Sequence, residues 1–428
     1  MTEAFVQYVW QFQYFDRREL RTTSGDEVEV FSPGTPNYDG GPDFLNARIR
    51  IGDMEWVGNV EVHGNASGWR EHRHHEDPAY DNVILHVVWS CNHSAVRQDG
   101  SLLPTVVLGN RVDRGMILRY TKLLSTRATV PCAARYATVD AETRRAMMER
   151  AAMLRLEEKA AAGRAIWERC NNDWEETLYQ LLCRSFGFKV NAEPMEQLSR
   201  ALPFRLILKH STKLMEVEAL LFGTAGFLDM GFRDTYFLRL KQEYEWLEKK
   251  YGLTSRKLKP SQWRFLRMRP ANFPTLRLAQ LAAALHHHPR IFSIVRDANH
   301  LRTLRSIFVA RQSDFWLRHY RFGLRQSKTI APMGNASIDN IIVNAIVPLL
   351  AAYGRTMDES FQVDKAVAFL KAIPAEQNSI TRKWSTLGDA PGSAFDSQAQ
   401  IGLYQIFCRA RRCLDCSIGS FIVKSPQS

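Results

Sequence analysis

The stretch GGPDFLNARIRIGDMEWVGNVEVHG, residues 40–64, decides the fold of the N-terminal part of the chain. Two strand-like runs flank Gly52-Asp53, a dipeptide typical of a β-hairpin turn. Counted outward from Gly52, Asp43 and Glu61 each lie nine residues away, so the hairpin places them in register. Because side chains alternate along a strand, His63 shares a face with Glu61. We therefore expect these three side chains to meet at one edge of a sheet.

The pattern of the chain changes near residue 110. Before it, short strand-like runs with Gly and Pro breaks follow an apolar helix at residues 4–15. After it, helical periodicity prevails, as in DAETRRAMMERAAMLRLEEKAAAGRAIWERC and in DWEETLYQLLCRSFGF. The helix predicted in the second of these stretches ends at Gly187. The pattern predicts an α+β protein with a small mixed-sheet domain at residues 1–115 and a larger all-α domain at residues 116–428.

The three polar groups of the hairpin suggest metal chemistry. Two converging carboxylates repel each other unless a cation lies between them. Mg²⁺ or Mn²⁺ takes oxygen ligands and binds phosphates, so Asp43 and Glu61 are candidate metal ligands. His63 is then placed to orient or deprotonate an attacking water. The alternative is a polar sheet edge without chemistry.

Histidines are dense just downstream, in SGWREHRHHEDPAYDNVILHVVW. This density indicates metal or phosphate chemistry, and His72 is a further catalytic candidate. A second hypothesis is a zinc site built on His63, His72, His74 or His86. The alternative is a solvated, histidine-rich loop.

Cysteine usage also indicates a metal. Cys408, Cys413 and Cys416 have the spacing C-x₄-C-x₂-C, and Cys132 could supply a fourth ligand. Such a set suits structural Zn²⁺ or an iron–sulfur cluster, and buried core cysteines are the alternative. The odd total of seven cysteines favours a reducing setting. With no signal peptide and no long apolar stretch, the sequence predicts a cytoplasmic protein without membrane contact.

A basic segment, SRKLKPSQWRFLRMRPANFPTLR, contains no acidic residue. Its positive charges alternate with aromatic rings, a pattern typical of phosphate contacts combined with base stacking. The candidate nucleic-acid-binding residues are Arg256, Lys257, Lys259, Trp263, Arg264, Arg267 and Arg269. The net charge of +12 also favours phosphate-bearing partners such as DNA or another nucleic acid. A basic surface strip around a helical core is the alternative.

Several stretches spread over nearly the full length resemble an uncharacterised bacterial family, domain-of-unknown-function family 2851. They are GPDFLNARI, GNVEVHGNASGW, YDNVILHVVW, EALLFGTAGFL, RMRPANFPTLRLAQLA, VNAIVPLLAAYG and RRCLDCSIG. The resemblance carries no activity with it.

A shorter resemblance concerns Pro42-Asp43 and Glu61-x-His63, which look like the two motif elements of PD-(D/E)xK nucleases. It implies a nuclease-like N-terminal domain and a metal-dependent hydrolase of DNA phosphodiesters. That family normally has Lys where this chain has His63, and a neutral imidazole accepts a proton or coordinates a metal. Some of these nucleases carry an iron–sulfur cluster on four cysteines, with a different spacing. The alternatives are an inactive nucleic-acid-binding protein with a structural metal and a His-based zinc metallohydrolase.

Overall fold

A computed structural model describes residues 1–425, which form two compact units. The first unit comprises residues 1–147 together with the C-terminal segment from residue 404 onward. The second unit comprises residues 148–403. The chain is α+β, with a mixed sheet near the N-terminus followed by a helical region, as the sequence predicts.

The first unit is built on a six-stranded mixed sheet. Its strands are β1 (Val28–Ser32), β2 (Thr35–Pro36), β3 (Phe44–Ile51), β4 (Met54–Asn65), β5 (Val83–Ser90) and β6 (Thr105–Val107). The strand order is β1-β3-β4-β5-β6, and β2 also pairs with β3. The pairs on the β1–β4 side are antiparallel, whereas β4, β5 and β6 run parallel.

Helices pack against this sheet and make up most of the second unit. In chain order they are α1 (Glu3–Gln11), α2 (Gly68–Glu71), α3 (Arg114–Ser125), α4 (Ala141–Arg169), α5 (Trp174–Phe186), α6 (Ala192–Ala201), α7 (Phe204–His210), α8 (Leu214–Thr224), α9 (Thr235–Tyr251), α10 (Pro274–His287), α11 (Ile291–Asp297), α12 (Leu301–Ser306), α13 (Asn335–Ile341), α14 (Val347–Thr356), α15 (Ser360–Ala372), α16 (Ser379–Thr386), α17 (Ala394–Gly402) and α18 (Ser417–Lys424). A short hairpin, β7 (His319–Arg321) and β8 (Leu324–Arg325), lies between α12 and α13.

Local sequence signals account for the ends of several helices. The carboxylate of Asp173 accepts a hydrogen bond from the backbone N–H of Glu175 at 2.9 Å, and α5 ends before Gly187 as predicted. The expected domain boundary at residues 115/116 falls inside the first unit, because α3 packs against α18 there.

One helical stretch of the described chain, Asn335–Thr356, is long and apolar enough to cross a membrane by length and composition. No such stretch was expected from the sequence. Its most apolar window is 78% buried inside the protein, and its side chains join the hydrophobic core of the second unit. Packing in this core accounts for its composition.

The β3–β4 hairpin predicted from the sequence is present, but its register depends on a bulge. The turn pairs Ile51 with Met54, so an unbroken ladder would place Phe44 opposite Glu61. Instead, β3 carries an extra residue between Phe44 and Ala47, and Phe44 pairs with Val60. The sequence predicted Asp43 opposite Glu61 in an unbroken hairpin. In the structure, only the bulge brings these two residues into register.

The bulge depends on Asn46, whose φ of 57° lies in the left-handed region. We expect Asn46→Val to lower the free energy of unfolding by about 1–2 kcal/mol, because β-branched residues are disfavoured there. Asn46→Gly should be nearly neutral, since glycine adopts this conformation freely. Urea denaturation of the two variants measures the difference, and equal stabilities would contradict the role of the bulge.

A buried carboxyl group in the second unit makes its stability depend on pH. Glu218 is fully buried and accepts hydrogen bonds from the hydroxyls of Tyr236 at 2.7 Å and Ser313 at 2.8 Å. Burial raises the pKa of Glu218 from 4.5 to about 7. A pKa that is higher in the folded state contributes stability at low pH, and this contribution is lost as the pH rises from 4.5 through 7.

Over that pH range, the free energy of unfolding of the wild type should therefore fall by up to about 3 kcal/mol relative to that of Glu218→Gln, whose amide does not titrate. Thermal unfolding of both proteins at pH 4.5 to 8 provides the comparison. A Tm difference between the two that is constant with pH would contradict a raised pKa at this position.

Candidate metal centre

The bulged end of the hairpin brings Asp43 and Glu61 together. The backbone N–H of Asp43 donates to Oε2 of Glu61 at 3.1 Å, and the N–H of Val62 donates to Oδ2 of Asp43 at 3.0 Å. From α1, the side-chain amide of Gln7 donates to Oδ1 of Asp43 at 2.9 Å. These hydrogen bonds hold both carboxyl groups together where β3 begins. Glu61 lies on the central strand β4, paired with His86 of β5, and not at the sheet edge that the sequence predicts.

The electrostatics of this pair favour a cation. Glu61 is 5% exposed, and burial together with the proximity of Glu61 raises the pKa of Asp43 to about 7. Two carboxylates at such a site repel each other, and a bound cation removes that repulsion.

His63 lies on the same face of β4 as Glu61, as the strand period predicts. Its side chain is 1% exposed, and its Nε2 atom lies 3.8 Å from Oε1 of Glu61. Nδ1 of His63 is 2.8 Å from Nε2 of His86, and Nε2 is 3.2 Å from Nδ1 of His72. Burial and the adjacent imidazoles lower the pKa of His63 to about 3. The ring is therefore neutral and can offer a lone pair.

The loop after β4 contributes His72 and His74. His72 directly follows α2, and Arg73 has a left-handed φ of 59° that turns the chain. Nε2 of His74 then lies 3.2 Å from Oε1 of Glu61. The His74 ring stacks on Tyr80 with 3.9 Å between the ring centroids, which fixes its orientation.

These side chains have the spacing of a metal site. The ligand atoms of His63, His72 and His74 all lie within 4.8 Å of one another, and Oε1 of Glu61 lies beside two of them. A tetrahedral zinc ion with bonds of about 2.0–2.1 Å separates its ligand atoms by about 3.3 Å. Apart from its 3.2 Å contact with Oε1 of Glu61, the buried Nε2 of His74 has no partner within the described protein, which leaves it available to a ligand. The four groups could hold a transition-metal ion, since imidazole and carboxylate suit such ions.

Two neighbours fix the position of the His63 ring. His86 on β5 is fully buried and lies within hydrogen-bonding distance of the nitrogen that faces away from His72. Such an outer partner sets the tautomer and orientation of a ligand imidazole. Gly68 lies against the same ring, and a Cβ atom there would approach Cδ2 of His63 to 2.4 Å. A side chain at position 68 would therefore displace His63.

The other predicted metal ligands lie elsewhere in the first unit. Cys132, Cys408, Cys413 and Cys416 are all buried, and their thiols interact electrostatically with one another. None of these four cysteines is a member of the histidine cluster, which consists of His63, His72 and His74.

The basic segment lies in the second unit and is largely exposed. The exposed cations are Arg256, Lys259, Arg264, Arg267 and Arg269. By contrast, Lys257 forms an ion pair with Asp229 at 2.9 Å. Trp263 was expected to stack on bases, but it is 5% exposed and its indole N–H donates to the backbone oxygen of Ala225 at 2.8 Å. Its ring is therefore not accessible to a nucleic acid.

Two supporting residues and one basic run are not predicted from the sequence. Gln7 and Tyr80 had no sequence signal, because their roles depend on contacts with Asp43 and His74. Further exposed cations of the second unit lie in and beside the β7–β8 hairpin. They are Arg318, Arg321, Arg325 and Lys328. The acid-free run RHYRFGLRQSK was the signal that could have revealed them.

We expect the wild type to bind one Zn²⁺ or Mn²⁺ ion at the histidine cluster. His72→Ala and His74→Ala each remove a ligand, so the affinity should fall by more than about 100-fold. Isothermal titration calorimetry with each ion measures this effect. His75→Ala is the matched control, because His75 lies in the same loop but outside the cluster. Equal affinities for the wild type and the His72 and His74 variants would exclude the site.

Comparison with known proteins identifies a family. A family model described as "Protein of unknown function (DUF2851)" matches residues 3–379. No curated protein and no solved structure matches the chain. The matched range includes the hairpin, the histidine loop and most of the second unit. Because it covers well over half of the sequence, the chain belongs to the family described as Protein of unknown function (DUF2851).

Proposed function

We propose that this protein is a metal-dependent hydrolase that cleaves phosphodiester bonds in DNA. The observation that carries the proposal is the convergence of Asp43, Glu61 and His63 on one face of the sheet, next to His72 and His74. Carboxylates and neutral imidazoles around one point are the groups that bind and activate water on a metal.

The layout of the first unit supports the nuclease-like interpretation. Helix α1 packs against β4 and β5, and the neighbouring strands β3 and β4 bring Pro42-Asp43 and Glu61-x-His63 together where β3 begins. This arrangement agrees with the resemblance to PD-(D/E)xK nucleases.

The donor set favours Mn²⁺ or Zn²⁺ over Mg²⁺. The candidate ligands are three imidazoles and one carboxylate, whereas Mg²⁺ prefers oxygen ligands. When bound, such an ion lowers the pKa of a coordinated water and neutralises charge on the phosphate. The protein would hold it through Glu61, His63, His72 and His74, while Asp43 positions Glu61 through its backbone N–H.

His63 stands where PD-(D/E)xK nucleases normally have a lysine, and we assign its side chain a different role. A lysine there supplies positive charge, whereas the buried, neutral imidazole supplies a lone pair. Positive charge for the phosphate must then come from the metal, so we expect the reaction to depend strictly on the ion.

Exposed cations of the second unit are the candidate contacts to the DNA backbone. Five of them come from the basic segment and four from residues 318–328, in and beside the β7–β8 hairpin. Lysine and arginine side chains that neutralise phosphates release counterions, so the binding should weaken steeply with salt. Because Trp263 is buried, this part of the proposal rests on charge and not on base stacking.

Purified protein should cleave single- or double-stranded DNA in the presence of Mn²⁺ or Zn²⁺. We expect Glu61→Gln and His63→Ala to reduce the rate by about 100-fold or more, because each removes a group that holds the ion or water. Asp43→Asn should also impair cleavage. Asp53→Asn is the matched control, since Asp53 is an exposed acid in the turn of the same hairpin.

A second candidate function is binding of DNA without cleavage, which the missing lysine favours. Salt-sensitive binding with no turnover under any metal would replace the hydrolase by this alternative. Cleavage that persists unchanged in Glu61→Gln would exclude the proposed site. Absence of DNA binding at low salt would exclude both functions.

A further inference from the structure

A cavity of about 340 Å³ lies within the second unit, between α11, α14 and the beginning of α15. Protein sites for small molecules have volumes of about 300 Å³ and more, so this space admits a small ligand. Its wall includes Arg296, Tyr353, Glu359, Phe361, Gln362 and Lys365. None of these residues belongs to the metal centre or to the basic segment, so the cavity has no part in the function proposed above.

The turn between α14 and α15 forms one side of the cavity. Asp358 has a left-handed φ of 57°, and the backbone N–H of Glu359 donates to the backbone oxygen of Gly354 at 2.8 Å. A Cβ atom on Gly354 would lie 2.8 Å from the backbone oxygen of Glu359, so glycine lets the two helices approach closely. The close approach brings the first turn of α15 beside Tyr353 of α14.

Tyr353 is a fixed part of the cavity wall. It is 7% exposed, and its ring packs edge-on against those of Trp174 and Phe292, with centroids 5.2 Å and 5.3 Å away. Its hydroxyl donates to Oε1 of Glu359 at 3.3 Å. The carboxylate is therefore held by a side chain that is itself packed on two sides. Such a site is largely formed before a ligand binds.

Glu359 and Gln362 together offer hydrogen-bond acceptors. Nε2 of Gln362 donates to Oε2 of Glu359 at 3.4 Å, and because a carboxylate only accepts, this contact fixes the orientation of the amide. Gln362 is 2% exposed, and its Oε1 atom has no hydrogen-bond partner within the described residues. A buried acceptor without a donor is destabilising. An ammonium group bound at Glu359 would bring N–H donors to this amide.

Lys365 places a positive charge at the same cavity. Its Nζ atom donates to the backbone oxygen of Arg296 and lies 6.0 Å from the centroid of the Phe361 ring. Burial lowers the pKa of Lys365, and the carboxylates of Asp297 and Glu359 oppose this shift. Asp297 itself is paired with the guanidinium of Arg296 at 2.8 Å. The direct contacts of Lys365 are thus with a carbonyl and a ring, which are neutral.

The two charges select the class of ligand. Lys365 and Glu359 line one cavity, and each contacts neutral groups there. An anion alone would compensate Lys365 but repel Glu359, and a cation alone would do the reverse. A molecule with one charge of each sign satisfies both groups. Phe361, which is 57% exposed, adds an apolar surface for the rest of the ligand.

We propose that this cavity binds a free α-amino acid with an apolar side chain. Glu359 and Gln362 accept hydrogen bonds from its ammonium group, Lys365 pairs with its carboxylate, and its side chain packs on Phe361. The site needs no metal and shares no residue with the metal centre. Its failure would therefore leave the proposed hydrolase untouched, and the reverse also holds.

Isothermal titration calorimetry of the full-length protein with L-leucine, L-methionine and L-phenylalanine tests the proposal. At least one of the three should bind at millimolar concentration. The analogues of that amino acid that lack either the carboxylate or the ammonium group should bind at least about 10-fold more weakly, because each leaves one charge of the cavity without its partner. No binding by any of the three amino acids, or equal affinity for either analogue, would overturn the proposal.

Variants assign the binding to this cavity. Lys365→Met and Glu359→Gln each remove one charge and should lower the affinity at least about 10-fold. Asp364→Asn is the matched control, because Asp364 is an exposed acid of the same helix, and it should bind as the wild type does. Unchanged affinity in folded Glu359→Gln would refute the site. Where a variant fails to fold, the comparison of analogues on the wild type decides.

Discussion

The bulge in β3 is the constraint on which the candidate site depends. Paired residues on adjacent strands project to the same face of a sheet, so a shift of one residue moves a side chain to the other face. With the bulge, Phe44 pairs with Val60, and Asp43 falls opposite Glu61. Without it, Asp43 would face Val62 and point away from the histidines. One extra residue thus decides whether two carboxyl groups and an imidazole can converge.

The parallel pairing of β4 with β5 completes this arrangement. It places His86 opposite Glu61, and the imidazole of His86 then reaches Nδ1 of His63 at 2.8 Å. The two buried imidazoles of His63 and His86 and the buried carboxylate of Glu61 are expensive to remove from water unless they share partners or a metal. The crossover between these strands also carries His72 and His74 back over the sheet. The same connection that makes the strands parallel therefore supplies the remaining ligands.

Patterns of charge and aromaticity were less reliable than strand periodicity. The basic segment alternates cations with rings, and the sequence pattern treated both as one binding surface. In the structure, Arg256, Arg264, Arg267 and Arg269 remain in solvent. Trp263 instead enters the core, where its indole N–H donates to the backbone oxygen of Ala225, and Arg277 is buried as well. A large apolar ring gains more free energy from burial than a guanidinium does. Alternation alone therefore does not distinguish a stacking platform from a buried anchor.

The sequence by itself determined the α+β class, the hairpin, helix α5 between Asp173 and Gly187, and the family. These features depend on local periodicity, turn residues and caps, which act over a few residues. Only the tertiary structure decided that His74 joins His63 and His72 and that Gln7 supports Asp43. Such contacts depend on strand order and on packing between segments far apart in the chain. No periodicity within a segment encodes them.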